Sequence, residues 1–123
     1  MNFEEWRDQV YLPTREKFSK TLATELPNDP GRLMRDFEIL PAMAFKAAEL
    51  RRDATQYYRE AQLAAEMALV AEKYPRSSLS SLTKPRCGEE LAIMTEAEDI
   101  QDIIKERRFD TKKLLFRFDE KDS

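Results

Sequence analysis

Residues 40–74 read LPAMAFKAAELRRDATQYYREAQLAAEMALVAEKY, with one proline near the start and no glycine anywhere. Within this stretch Ala47, Leu50, Ala54, Tyr57, Ala61, Ala64, Ala68 and Ala71 follow one another at alternating spacings of three and four. A repeat of about 3.5 residues is how a helix presents a straight stripe to a partner. Six of the eight are alanine, so a facing backbone can approach nearer than the roughly 8–10 Å of leucine-lined packing, with less apolar area per contact. A second row, Leu63, Met67, Val70 and Tyr74, widens the carboxyl-terminal half. The stretch therefore predicts one long helix that belongs to a bundle or a helical, coiled-coil oligomer, with the alanine row as the oligomer seam.

Working upstream, Leu33, Phe37, Leu40, Ala44 and Ala47 carry the same stripe across Pro41. A proline inside a helix removes one backbone bond and crowds the preceding turn, which predicts a kink or short break near residues 37–41. Asp29-Pro30 is a strong start, with an acceptor for the free first-turn amides and a proline where the missing donor is no loss. Further back, Asn2 and Glu5 can form a capping pair ahead of the face Phe3, Trp6 and Val10. Pro13 is expected to end that helix, and Thr14 to cap a second one through Leu26 with the face Phe18, Leu22 and Leu26. Trp6 at this spacing reads as a core anchor rather than a stacking platform.

Downstream, Tyr74-Pro75 stops the long helix, and residues 75–94 read as a polar linker rich in serine and proline. Thr95-Glu96-Ala97-Glu98 matches a capping box, so a last helix is expected from about residue 96 to about Phe118. Its apolar stripe is Ile100, Ile103, Ile104, Thr111, Leu114, Leu115 and Phe118. Acids crowd its first turns and cations its later ones, a polarity that suits the helix dipole. Even so, Lys105, Arg107, Arg108, Lys112, Lys113 and Arg117 outnumber Glu106 and Asp110 by four, and Phe109 and Phe116 stand among them. Cations interleaved with aromatic rings suit single-stranded nucleic acid, where phosphates need neutralising and bases stack. The same rings also suit burial under a partner helix. On the long helix Arg52, Gln56 and Arg59 share a face at spacings of four and three; it reads as a solvated surface laced with weak ion pairs.

The totals agree with a single helical domain over residues 1–123. Hydrophobic residues are 41% and charged residues 37%, with only two glycines, which leaves too few turn residues for a sheet and points to an all-α chain with solvated outer faces. No apolar run approaches the length of a membrane span and no signal-peptide pattern opens the chain, so a cytoplasmic location is expected. The net charge of −3 argues against a protein that coats nucleic acid with its whole surface.

Chemistry is sparse. There is no histidine, the commonest general base and transition-metal ligand. Two isolated glycines do not make a phosphate-cradling loop. Adjacent acids such as Glu4-Glu5, Glu89-Glu90 and Glu98-Asp99 point to different faces of a helix and form no recognised metal set. Cys87 is the single cysteine, with basic neighbours in sequence but no base to pair with. The reading is therefore a non-enzymatic chain with no cofactor, no metal and no small-molecule substrate.

Met1 to Trp6, Tyr57-Tyr58, and Asp102-Ile103-Ile104-Lys105 with the basic tract after it resemble parts of small all-helical phage proteins of the UvsY-type recombination mediator kind. The resemblance implies a protein that oligomerises, binds single-stranded DNA and helps load a recombinase on strands already covered by another protein. Under it the nucleic-acid-binding residues are Lys105, Arg107, Arg108, Phe109, Lys112, Lys113, Phe116 and Arg117, and the partners are further copies of the chain and single-stranded nucleic acid or a DNA-bound protein. The alternative is an adaptor or inhibitor module that meets a partner protein through its apolar helix faces without touching nucleic acid.

Overall fold

The structure, a computed structural model, describes residues 1–122 and builds them into helices, with no strand among the described residues. The elements are α1 (Phe3–Trp6), a π-helical turn (Arg7–Tyr11), α2 (Leu12–Leu22), α3 (Pro30–Ala71), α4 (Arg76–Arg86) and α5 (Gly88–Asp122). The all-α class with a long central helix packed against amino- and carboxyl-terminal helices is thus correct. Contacts cluster into two units, residues 1–48 with 100–123 and residues 49–99.

In the first unit the Asn2 side chain caps α1, its Oδ1 accepting from the Glu5 backbone at 2.8 Å. Pro13 does not end this helix. It sits in the first turn of α2, and the π turn just before it absorbs the defect: the Leu12 N–H reaches back five residues to the Arg7 carbonyl. A π turn inserts one extra residue, so the next side chain to face inward after Trp6 is Tyr11 rather than Val10. Tyr11 is fully buried and its ring centroid lies 5.4 Å from that of Trp6, itself only 3% exposed. Trp6 is a core anchor, as its spacing predicts. Phe18, one turn pair further on, is buried too, and α2 stops at Leu22, short of the expected Leu26.

α3 begins at Pro30 and runs 42 residues without interruption through Pro41. No break occurs near residues 37–41; Leu40 and Met43 are buried on either side of the exposed proline. The inward row is Leu33, Leu40, Met43, Ala47, Leu50 and Ala54, then Ala65 and Leu69. The alanine seam follows this row only as far as Ala54. Tyr57 and Ala61 are half-buried, and Ala64, Ala68 and Ala71 are exposed. The reason is pitch: a straight helix has 3.6 residues per turn, so a 3.5-residue stripe rotates by about 20° every heptad and leaves the buried face. What recurs is an eleven-residue step, from Met43 to Ala54 to Ala65. Ala47, Leu50 and Ala54 are consumed by packing within the chain and do not form an exposed oligomer seam.

The second unit corrects the expected linker. Residues 76–86 form α4, and α5 starts at Gly88 instead of about residue 96. Serine and threonine support α4 by bonding back along it: Thr83 Oγ1 donates to the Leu79 carbonyl at 2.6 Å and Ser81 Oγ to that of Ser78 at 3.1 Å. Thr83 and Cys87 are buried, and Arg86 ties α4 to the end of α3 through Glu72 at 3.0 Å. Thr95 is no cap either, since its hydroxyl bonds back to the Leu91 carbonyl at 2.9 Å inside a continuing helix. Here tertiary burial overrides weak local propensity. Arg51 of α3 lies 3.6 Å from Glu98 of α5.

α3 ends in a Schellman cap. The Lys73 N–H bonds the Val70 carbonyl and the Tyr74 N–H reaches the Leu69 carbonyl, at 3.0 and 3.1 Å. Lys73 takes the left-handed position with φ 66°, where glycine is the usual residue.

Candidate nucleic-acid interface

The basic tract of α5 divides into an inward and an outward half. Ile104 and Thr111 are buried at a spacing of seven, with Arg107, Leu114, Leu115 and Phe118 half-buried along the same side. Thr111 satisfies its hydroxyl by donating to the Arg107 carbonyl at 2.7 Å. Of the expected apolar stripe only Ile103 departs, being 48% exposed.

Arg107 belongs to the packing and not to the surface. Its Nη1 donates to the Thr24 carbonyl at 2.6 Å and its Nη2 lies 3.3 Å from Asp36 Oδ2. One side chain thereby joins α5 to the α2–α3 connection and to α3, a link invisible to local pattern because the partners stand 83 and 71 residues away.

Lys105, Arg108, Phe109, Lys112, Lys113, Phe116 and Arg117 are all exposed. At 100° per residue, Lys105, Phe109, Lys112 and Phe116 project within about 60° of one another, flanked by Arg108 on one edge and Lys113 on the other. Glu106 and Asp110 fall further round, beside Arg117. From residue 105 to 116 the aromatic stripe is therefore free of acids, with the exposed Asp102 one turn before it, and Arg117 belongs to a mixed flank. Phe109 and Phe116 are each 59% exposed, and a separation of seven residues sets them about 10.5 Å apart along the helix. Lys113 Nζ stands over the Phe109 ring, 4.7 Å from its centroid, a cation–π contact with one face of the ring. Lys105, Arg108, Lys112 and Arg117 have no ion-pair partner among the described residues.

Other candidate groups are quieter. Cys87 is fully buried and donates through Sγ to the Thr83 carbonyl at 3.1 Å. Burial, then the charges of Glu90 and Glu66, push its thiol above the ordinary value. The basic neighbours in sequence therefore do not activate it. Among the described residues no three of the acids and Cys87 gather as a metal site, and no helix is long and apolar enough to cross a membrane.

The fold and this surface define a class: an all-helical chain that displays an aromatic and basic stripe on one helix. Comparison of the chain with protein families, with curated proteins and with solved structures finds no match.

Proposed function

We propose that this chain is a non-enzymatic, self-associating accessory protein of the cytoplasm that binds single-stranded nucleic acid, or a nucleoprotein formed on it, through Lys105, Arg108, Phe109, Lys112, Lys113 and Phe116. A role as a phage recombination or replication mediator follows from the UvsY-type resemblance. The observation that supports the reading is the pair of exposed phenylalanines, seven residues apart, on a stripe whose charges from residue 105 to 116 are all positive. Rings of this kind accept bases of any sequence, and the lysines beside them meet phosphates. One such stripe binds weakly; several copies held together multiply it.

The test is fluorescence anisotropy of a labelled single-stranded oligonucleotide, titrated with protein at low and physiological salt with duplex as competitor. Four phosphate contacts per copy give a logarithmic salt slope of roughly −3. Arg108→Glu with Lys112→Glu abolishes binding and leaves helicity intact. Absence of binding at low salt overturns the reading and favours the adaptor, whose apolar contacts do not weaken steeply with salt.

A further inference from the structure

The two exposed rings of α5 are not equivalent platforms. Lys113 Nζ stands over Phe109, 4.7 Å from the ring centroid, so one face of that ring already carries a cation. Phe116 makes no ring or cation contact among the described residues. Lys113 stands four residues beyond Phe109 and three before Phe116, about 6 Å along a ring separation of about 10.5 Å. Helical side chains lean back toward the amino terminus, so the ammonium reaches Phe109 from between the rings. The face it covers is the one turned along the stripe toward Phe116.

That cover decides which bases the rings can hold. Two rings about 10.5 Å apart leave room for two stacked bases, since three intervals of about 3.4 Å fill the gap. Neighbouring nucleotides inserted there would touch both rings at once. With the ammonium in place, a base that meets Phe109 takes the opposite face, and the ring itself then separates it from any base on Phe116. The two bases stand about 10.5 Å apart, further than one drawn-out nucleotide step, roughly twice the stacked rise of about 3.4 Å, can cover. Charge bounds the track from outside. Asp102 is exposed one turn before Lys105, so the acid-free run covers residues 105–116. Its length of about 16.5 Å matches about five nucleotides at the stacked rise.

From the covered face of Phe109 we infer that the stripe selects spaced bases. One copy of the chain holds about three to five nucleotides of a single strand, with one base on Phe109, one on Phe116 and at least one unstacked nucleotide between them. Lys112 has no ion-pair partner among the described residues and stands level with the gap between the rings, where it meets the phosphates of the intervening nucleotide. The inference rests on the single-strand reading proposed above, and adds to it the length of strand that one copy recognises and which of its bases are held.

The experiment is competition at low salt, with the full chain bound to a labelled single-stranded oligonucleotide and displaced by either of two thymidine tetranucleotides. Both competitors carry the same phosphates and two bases; one lacks the bases at its inner positions, the other those at its outer positions. The first keeps spaced bases and binds about tenfold more tightly than the second, whose neighbouring bases fill one ring at a time. Phe109→Ala abolishes this preference because no second ring remains. Lys113→Ala reduces it, because removing the ammonium lets neighbouring bases enter between the rings. Both positions face solvent, and circular dichroism checks that helicity is unchanged. Equal displacement by the two competitors, with the labelled strand still bound by wild type, overturns the spacing and leaves the single-strand reading standing. A preference undiminished in Lys113→Ala overturns the cation's part in it. A chain that binds no strand at low salt overturns both.

Discussion

Arg107 and Asp36, 71 residues apart in the chain, meet with Nη2 3.3 Å from Oδ2, while the same guanidinium donates at 2.6 Å to the Thr24 carbonyl. The Arg107 side chain is 12% exposed, so its fork of donors is held by packing as well as by charge. Removing it leaves a half-buried carboxylate and a carbonyl short of a donor. Arg107→Ala is expected to lower unfolding free energy by about 1–3 kcal/mol, whereas Arg108→Ala, on the solvent side of the same turn, changes it by less than about 0.5 kcal/mol. Urea titrations of the two variants check the contrast. Equal effects would remove Arg107 from its structural role.

Phe109 and Phe116 are predicted to matter for binding and not for folding. Both project into solvent, so Phe109→Ala and Phe116→Ala leave the melting temperature within about 2 °C. If bases stack on them, each substitution costs about tenfold in affinity for a single strand, near the lower end of what one stacked base contributes. Anisotropy at fixed salt reads this directly. Unchanged affinity in both variants would strip the stripe of its aromatic component and leave only charge.

Cys87 makes stability fall in alkali. Its folded thiol titrates above its unfolded one because burial and two acids disfavour the thiolate. The stabilisation is fully present below the unfolded value and is lost as pH rises from about 8.5 toward the folded value, since over that range only the unfolded chain releases the proton. Native protein should resist a thiol reagent at neutral pH and react once unfolded. Cys87→Ala should flatten the alkaline loss. A native thiol that reacts at the rate of a free one would contradict its burial.

Lys73 pays a conformational cost in the left-handed cap at φ 66°. Lys73→Gly relieves it and is expected to raise stability by about 1 kcal/mol, measured by denaturation at protein concentrations too low for association to contribute. A loss of stability would mean that the lysine side chain contributes more to the monomer than its backbone costs.

The elements that sequence made legible are those whose causes are local. Asn2 caps because its acceptor lies three residues away, Pro30 starts α3 because of its own ring, and Trp6 is buried because a large ring on an apolar stripe has nowhere better to go. What was illegible depends on geometry accumulated over distance. Ala64, Ala68 and Ala71 left the buried face because a small mismatch in pitch adds up over three heptads. Tyr11 went in because Pro13 forces an extra residue into the turn before it. Residues 76–86 became helical through burial of Thr83 and a tie from Arg86 to Glu72, neither visible in their composition. On the candidate surface, the exposed phenylalanines were readable from spacing, but the withdrawal of Arg107 required its distant partners.

Trp6 is the only tryptophan in the chain, and it lies against Tyr11 in the unit formed by residues 1–48 and 100–123; Tyr57, Tyr58 and Tyr74 belong to residues 49–99. Excited at the red edge of its absorption, the indole emits as a private reporter for one unit, while circular dichroism at 222 nm averages over every helix. The protein is thus born with a label on half of itself. Superimposable melts by light and by ellipticity mean one cooperative body, and any gap between the two curves measures how independently the other half comes apart.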